Sequence, residues 1–298
     1  MFSQYFGNFL LNKGLVTPKQ LERALELTKT AHLKLGVLCV NAGYMTPEQI
    51  KEVHQKQMQV DKRFGEIAIE LGYLTKEQLE EVLATQKHSH LLLGQVLIDE
   101  NILTLDQFTE ALNQYKEEHS LTDEQFEAIK KGDIDTLVDT VLKLDSSEKA
   151  TIIKDYLTLL AKNMIRFVEN QLRIDPVKLE DPCKADYLVY QKIHGDASYF
   201  TAILTDEKVF IDIAAKYAQE EITEVDELAE ASVGEFLNLH NGIFTVNMSN
   251  RDIELQMLPQ QIKPNGSLSN LKEASTVKIT IPSGEFYVVF ADYDVTVN

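Results

Sequence analysis

The first part of the chain repeats one pattern of apolar and polar positions every 29 residues. Four glycines keep this period, and a Thr-x-x-Gln segment follows each of them ten residues later. The glycines are Gly7, Gly36, Gly65 and Gly94, and the segments begin at Thr17, Thr46, Thr75 and Thr104. Thr-x-x-Gln is typical of a capping box, in which both side chains satisfy free N–H groups at the start of a helix. The one-sided apolar stripe after each box predicts a short amphipathic helix.

A second set of positions marks where the preceding helix of each copy ends. Three residues before each threonine stand Gly14, Gly43, Gly72 and, in the fourth copy, Asn101. Gly and Asn tolerate the left-handed conformation that closes many helices. Each copy therefore predicts two short helices. Because such helices cannot bury their apolar faces alone, we expect four stacked repeats over residues 1–118.

The pattern changes after the fourth copy. A further capping box at Thr122, off the period, predicts a short helix that Gly132 ends, and we assign residues 119–147 to a helical connector. Residues 148–298 mix long helical patterns with apolar runs separated by turn residues. The predicted helices are 148–172, 206–219 and 224–249, and the predicted strands are 187–193, 199–204, 252–258, 275–282 and 285–293. The fold class is therefore α+β: an all-helical tandem-repeat module, then a domain with two central helices and an antiparallel sheet.

Composition narrows the setting without changing this division. Of the 298 residues 44% are hydrophobic and 26% are charged, as in globular chains, and no apolar run reaches the roughly 18–20 residues that span a bilayer. The N-terminus lacks the basic and small-residue features of a signal peptide. Cys39 and Cys183 are far apart and belong to no metal-ligand pattern. We therefore expect a cytoplasmic protein without a metal site of its own.

The charge is uneven along the chain. Residues 1–120 contain 12 Lys/Arg and 16 Asp/Glu, whereas residues 121–298 contain 17 Lys/Arg and 31 Asp/Glu. Such an acidic C-terminal part repels nucleic acid and anionic lipid, so we expect neither as a partner. One small phosphorylated ligand in a local pocket stays compatible with it.

The repeats resemble the N-terminal module of type II secretion ATPases, including its MshEN form. The best match begins at Arg63-Phe64-Gly65 and continues through Gly72 to Gln86, and the resemblance covers about residues 5–116. It implies cyclic di-GMP as a possible ligand, with Arg63, Gly65, Gly72 and Gln86 as binding residues. Arg63 would contact a phosphate or a guanine edge, and the glycines would let backbone approach the ligand. The alternative is that the glycines are turn residues and that the module only docks partners.

The 224–249 helix carries the segment Gly234-Glu235-x-x-Asn238-x-x-x-Gly242. Glu235 and Asn238 are three residues apart and share one helix face. This segment resembles the motif helix of the CheC/CheX/FliY chemotaxis phosphatases, and the order of the predicted elements over 148–298 agrees with that family. One such segment occurs in this region, as in CheX. The same spacing also occurs at Glu110 and Asn113 in the fourth repeat, to which we assign no chemistry.

The resemblance implies hydrolysis of the aspartyl phosphate on a CheY-like response regulator, which would supply the phosphoaspartate, Mg²⁺ and a lysine. Asn238 would orient the attacking water, and Glu235 would pair with the partner's lysine. A homodimer is possible by the same resemblance. The alternative function is a non-catalytic adaptor or a cyclic di-GMP-binding sensor protein, because a fold can be kept when its activity is lost.

Overall fold

The computed structural model describes residues 1–28, 33–57, 62–84, 89–144 and 147–298. It divides into two compact units, one of residues 2–133 and one of residue 1 with residues 134–298. The division at 133/134 lies inside the predicted connector of residues 119–147, directly after the helix that Gly132 ends. Within the described ranges, no helix combines the length and the apolar character that crossing a bilayer requires.

The first unit, here called the helical unit, consists of short helices over its described residues. They are α1 Phe2–Asn12, α2 Pro18–Leu27, α3 Leu35–Asn41, α4 Pro47–Gln57, α5 Phe64–Glu70, α6 Lys76–Ala84, α7 Ser89–Asp99, α8 Leu105–Glu118 and α9 Asp123–Lys130. Two helices fall in each 29-residue copy, as the sequence predicts.

The predicted start and stop signals of these helices are confirmed. At the start of α2, the Thr17 backbone N–H donates to Gln20 Oε1 over 2.8 Å, and the Gln20 N–H donates to Thr17 Oγ1 over 3.3 Å. The same reciprocal pair occurs at Thr46, Thr75, Thr104 and Thr122. The first helix of each copy ends in left-handed backbone, with φ of 69°, 70°, 76° and 56° at Gly14, Gly43, Gly72 and Asn101.

The helical unit brings its first and last helices together. Helix α1 contacts α7 and α8, and its phenylalanines pack edge-on against aromatic rings of later helices. Phe2 and Phe9 lie 5.3 Å and 5.4 Å from the Tyr115 ring, and Phe6 lies 5.7 Å from Phe108. The first pair of helices therefore meets the fourth, which the sequence period did not indicate.

The four periodic glycines have a packing role inside this core. A Cβ at Gly7, Gly36, Gly65 or Gly94 would meet a side chain 14 residues later: Leu21, Ile50, Leu79 or Phe108. Each glycine thus lets the two helices of its own copy approach closely, because any side chain at that position would occupy the same space.

The second unit, here called the sheet unit, contains helices α10 Ile134–Leu142, α11 Glu148–Phe167, α12 Glu207–Ala218 and α13 Glu227–Ser249. Its strands are β1 Arg173–Pro176, β2 Cys183–Lys184, β3 Tyr187–Gly195, β4 Tyr199–Thr205, β5 Leu255–Met257, β6 Gln261–Pro264, β7 Ser267–Ser269, β8 Ser275–Ile281, β9 Gly284–Ala291 and β10 Thr296–Val297. The α+β fold class is confirmed.

The strands form two antiparallel sheets. The larger has the order β1-β8-β9-β4-β3-β5, with β6 also paired to β3, and the smaller has the order β10-β7-β2. Alternate residues of β4 enter two different cores: Tyr199 and Ile203 face the helices, whereas Phe200, Ala202 and Leu204 pack with Leu268 of the smaller sheet. Because β4 is covered on both faces, it has no solvent-exposed face, and all seven of its residues are buried.

Some boundaries differ from the sequence-based prediction. Helix α11 ends at Phe167 rather than 172, and the following residues pair as β1 with β8. Strands β1, β2, β6, β7 and β10 were not predicted. With two to four residues each, they are too short for alternation of apolar and polar positions to be recognisable.

Candidate functional site

Helix α13 presents the Glu-x-x-Asn segment predicted from the sequence. Asp226 caps the helix, its carboxylate accepting from the Ala229 N–H over 2.8 Å. Val233, Phe236 and Leu237 face inward and are at most 1% exposed. This apolar face fixes the rotation of the helix about its axis, so the positions between these residues must point outward or sideways.

Glu235 and Asn238 lie side by side on this helix. The Glu235 side chain is exposed and that of Asn238 is half-buried. Asn238 Nδ2 donates to Glu235 Oε2 over 3.2 Å, so one turn of the helix holds an amide and a carboxylate in contact. Tyr217 of α12 lies beside this turn: its ring is 5.7 Å from the Phe236 ring, and burial together with the nearby Glu235 carboxylate raises its pKa.

The two motif glycines flank Asn238 at four-residue intervals and so share its face of the helix. A Cβ at Gly234 would lie 3.4 Å from Gln260 Cγ, and one at Gly242 would lie 3.6 Å from Met257 Cε. The chain from β5 to β6 therefore runs along this face and half-covers Asn238, while the Glu235 side chain stays exposed beside it.

A buried chain of polar side chains, not predicted from the sequence, continues inward from Asn238. Gln191 of β3 donates from Nε2 to Asn238 Oδ1 over 2.9 Å, and Asn241 donates from Nδ2 to Gln191 Oε1 over 2.8 Å. Asn241 also donates to Thr201 Oγ1 over 2.8 Å and accepts from the Tyr156 hydroxyl over 3.0 Å. Gln191 is 1% exposed, and Asn241, Thr201 and Tyr156 are fully buried. The signal in the sequence that could have revealed this buried chain was Gln191 itself, a glutamine between Val189 and Ile193 on the inward face of β3.

His240 is a second buried polar group of α13. It is fully buried, its Nδ1 lies 3.1 Å from Asn163 Nδ2, and its ring meets Tyr156 edge-on at 4.4 Å. Burial disfavours the charged imidazolium and lowers the pKa of His240 to about 3. The side chain is therefore neutral at physiological pH, and Nδ1 is the ring nitrogen in contact with the Asn163 amide.

The stretch of chain that carries this turn is acidic. Residues 217–250 contain seven Asp/Glu and no Lys/Arg, and Glu235 is among the seven. A partner that approaches Glu235 with basic residues would be attracted, whereas an acidic one would be repelled.

The predicted ligand residues of the repeats lie at helix ends. Arg63 is exposed just before α5, and its backbone N–H donates to Glu66 Oε2 over 2.9 Å. A Cβ at Gly65 would lie 2.9 Å from Leu79 Cδ2, and Gly72 is the left-handed residue after α5. The structure thus gives both glycines a packing or turn role. Gln86 lies outside the described residues, and cyclic di-GMP binding stays a prediction.

The second Glu-x-x-Asn occurrence has a different geometry. Glu110 and Asn113 of α8 are both exposed, and the Glu110 carboxylate accepts from Gln114 Nε2 over 2.9 Å. Across the described ranges, no group of three or more His, Cys, Asp or Glu side chains is arranged to hold a metal ion.

No family model matches the chain, and no curated protein matches it. Solved structures that match its C-terminal part include chemotaxis proteins CheX from Desulfovibrio desulfuricans, 17% identical with a TM-score of 0.40, and from Vibrio vulnificus, 14% identical with a TM-score of 0.40. Each match covers 47% of this chain and 98% of the other. A CheX–CheY–BeF3–Mg²⁺ complex from Borrelia burgdorferi is 16% identical with a TM-score of 0.38, covering 49% of this chain and 97% of that one.

Proposed function

We propose that this chain is a phosphatase that hydrolyses the aspartyl phosphate of a CheY-like response regulator, with the helical unit as a regulatory or targeting module. The observation that carries the proposal is the contact between Asn238 and Glu235 on one turn of α13, with the carboxylate exposed and the amide half-buried. An incoming protein can reach both groups from one direction, because they share one face of the helix.

The two side chains suit different parts of the reaction. The Glu235 carboxylate, in an acidic stretch of the chain, would pair with a lysine of the response regulator and fix the docking register. The Asn238 amide would lie beside the phosphoryl group and hold the attacking water in line with the bond that breaks. An amide suits this position because it forms hydrogen bonds without adding charge next to a phosphate.

The step itself is a transfer of the phosphoryl group to water. The water oxygen forms a bond to phosphorus, and the bond from phosphorus to the aspartyl carboxylate oxygen breaks with its electron pair left on the carboxylate. A proton of the water is released with the phosphate product. A Mg²⁺ ion on the partner would neutralise phosphoryl charge, and this chain would contribute positioning, which dominates phosphoryl transfer.

The test is the rate at which a phosphorylated receiver domain loses phosphate in the presence of the full chain. We expect Asn238→Ala to abolish most of the acceleration, by about a hundredfold or more, because the water loses its positioning group. Asn113→Ala is the matched control, since it removes an asparagine from the same Glu-x-x-Asn spacing in α8. If Asn238→Ala is as fast as Asn113→Ala, the catalytic assignment is wrong. No acceleration by the wild-type chain favours the adaptor alternative.

A further inference from the structure

We propose that Gln191 is a positioning residue that orients Asn238 so that its NH2 group, rather than its carbonyl oxygen, faces the reacting phosphate. The proposal deepens the phosphatase function and rests on it. It comes from the direction of the hydrogen bonds in the buried chain behind Asn238, which one backbone carbonyl group determines and a second supports.

The first backbone carbonyl is that of Leu258, which lies between β5 and β6. Gln191 Nε2 is 2.8 Å from the Leu258 carbonyl oxygen, which can only accept a hydrogen bond. The Gln191 NH2 group must therefore face Leu258 and Asn238, since the opposite amide orientation would place two oxygens against each other. Asn238 in turn must present Oδ1 to Gln191, over 2.9 Å.

The second backbone carbonyl is that of Gln191 itself. Thr201 Oγ1 donates to the Gln191 carbonyl oxygen over 3.2 Å, and its lone pairs can accept from Asn241. Asn241 presents its NH2 group to both Thr201 Oγ1 and Gln191 Oε1. The Tyr156 hydroxyl donates to Asn241 Oδ1 from the far side. The hydrogen bonds at this far end agree with the orientation that the Leu258 carbonyl requires of Gln191.

This direction determines what Asn238 offers at the surface. Its Oδ1 faces inward to Gln191, and its Nδ2 faces outward, where one N–H donates to the exposed Glu235 carboxylate. The second N–H of Asn238 Nδ2 makes no hydrogen bond to the residues that the structure describes. It is therefore available to donate to the oxygen of the attacking water, which keeps a second lone pair for phosphorus.

Burial makes this orientation rigid. Gln191 is 1% exposed and Asn241 is fully buried, so a rotated amide would leave several buried groups without hydrogen-bond partners. A surface asparagine without such support would rotate freely. The difference between the two is the pre-organisation that positioning requires.

The experiment replaces Gln191 in the full chain with a side chain of similar size that forms no such hydrogen bonds. We expect Gln191→Met to lower kcat for dephosphorylation by about tenfold to a hundredfold, with the KM for the phosphorylated receiver unchanged, because Glu235 keeps its exposed position. Gln95→Met is the matched control: Gln95 is also 1% exposed and hydrogen-bonded, but lies in the helical unit. We expect it to keep the wild-type kcat. If Gln191→Met keeps the wild-type kcat, the proposal is overturned.

Two further measurements keep the test decisive. Thr201→Val is the substitute if Gln191→Met fails to fold. It removes only the hydroxyl that accepts from Asn241 and keeps the shape of the side chain, so we expect a smaller loss of kcat in the same direction. The NH2 signals of Asn238 in nitrogen-15 spectra report its orientation without any assay. They should shift in Gln191→Met and not in Gln95→Met, and unchanged signals would refute the positioning role. A wild-type chain without activity would instead refute the phosphatase function on which the role rests.

Discussion

The periodic glycines of the helical unit allow a graded stability prediction. Replacing Gly94 of α7 by alanine puts a Cβ 2.3 Å from Cζ and 2.4 Å from Cε2 of Phe108. Real Cβ atoms do not approach carbon so closely, so the phenyl ring must move. Phe108 is 2% exposed and packs edge-on against Phe6 at 5.7 Å, which leaves the ring little room. Gly36→Ala is the mild member of the series, because its closest atom is Ile50 Cγ2 at 3.1 Å.

Two opposing effects set the magnitudes. Alanine is favoured over glycine in a helix by about 1 kcal/mol, whereas overpacking a core costs about 1–3 kcal/mol. For Gly94→Ala the clash is with a rigid ring, so we expect a net loss of about 1–2 kcal/mol in the free energy of unfolding. For Gly36→Ala the neighbour needs to shift by only a few tenths of an ångström, so we expect a change between zero and a gain of about 1 kcal/mol.

The assay is scanning calorimetry of the full chain. For a unit of this size, 1 kcal/mol shifts the Tm by about 3–5 °C, so Gly94→Ala should lower the transition of the helical unit while Gly36→Ala leaves it unchanged or raises it. An Asn241→Leu variant, which destabilises the sheet unit, identifies the calorimetric transition that belongs to that unit. A Gly94→Ala protein as stable as Gly36→Ala would refute the packing role of these glycines.

Three other predictions concern the sheet unit. Asn241→Leu should cost about 3 kcal/mol or more in the free energy of unfolding, because it leaves Gln191, Thr201 and the Tyr156 hydroxyl without their partner, and calorimetry should show the loss in one transition only. Burial lowers the pKa of His240 from its ordinary value of 6.5 to about 3. Between these two values the unfolded chain therefore binds a proton that the folded chain does not. The free energy of unfolding should fall by up to about 1.4 kcal/mol per pH unit as the pH drops from 6.5 towards 3. Urea titrations between pH 7 and 5 measure this slope, which His240→Leu should reduce; an equal slope in the variant would contradict it. Glu235→Lys should raise the KM for the phosphorylated receiver by about tenfold, with a smaller effect on kcat, because it places a like charge against the partner's lysine. Steady-state rates at several salt concentrations test this. An unchanged KM would contradict the docking role of Glu235.

The local signals in the sequence predicted most of the secondary structure. Capping boxes such as Thr17/Gln20 act within one helical turn, and the left-handed residues such as Gly72 close the helix beside them, so neighbouring residues determine both. The contact between Glu235 and Asn238 is of the same kind, since three residues on one helix fix their spacing. Their role in catalysis stays a prediction.

What could not be predicted depends on tertiary packing. Gln191 and Asn241 are 50 residues apart, and nothing local to either shows that their amides meet in the core. The packing of α1 against α8 likewise depends on how four copies close on one another, which a 29-residue period does not specify. The short strands β6 and β7 pair with strands distant in the chain, β6 with β3 and β7 with β2 and β10, and their own sequences do not reveal these partners.

The most direct measurement is the loss of phosphate from a phosphorylated CheY-like receiver mixed with a small fraction of its concentration of this chain. A phosphatase turns over, so the wild-type chain should speed the loss in proportion to its own concentration and leave no phosphorylated receiver at the end. A receiver that loses phosphate at its own spontaneous rate, whatever the amount of chain added, would contradict the function proposed for Glu235 and Asn238.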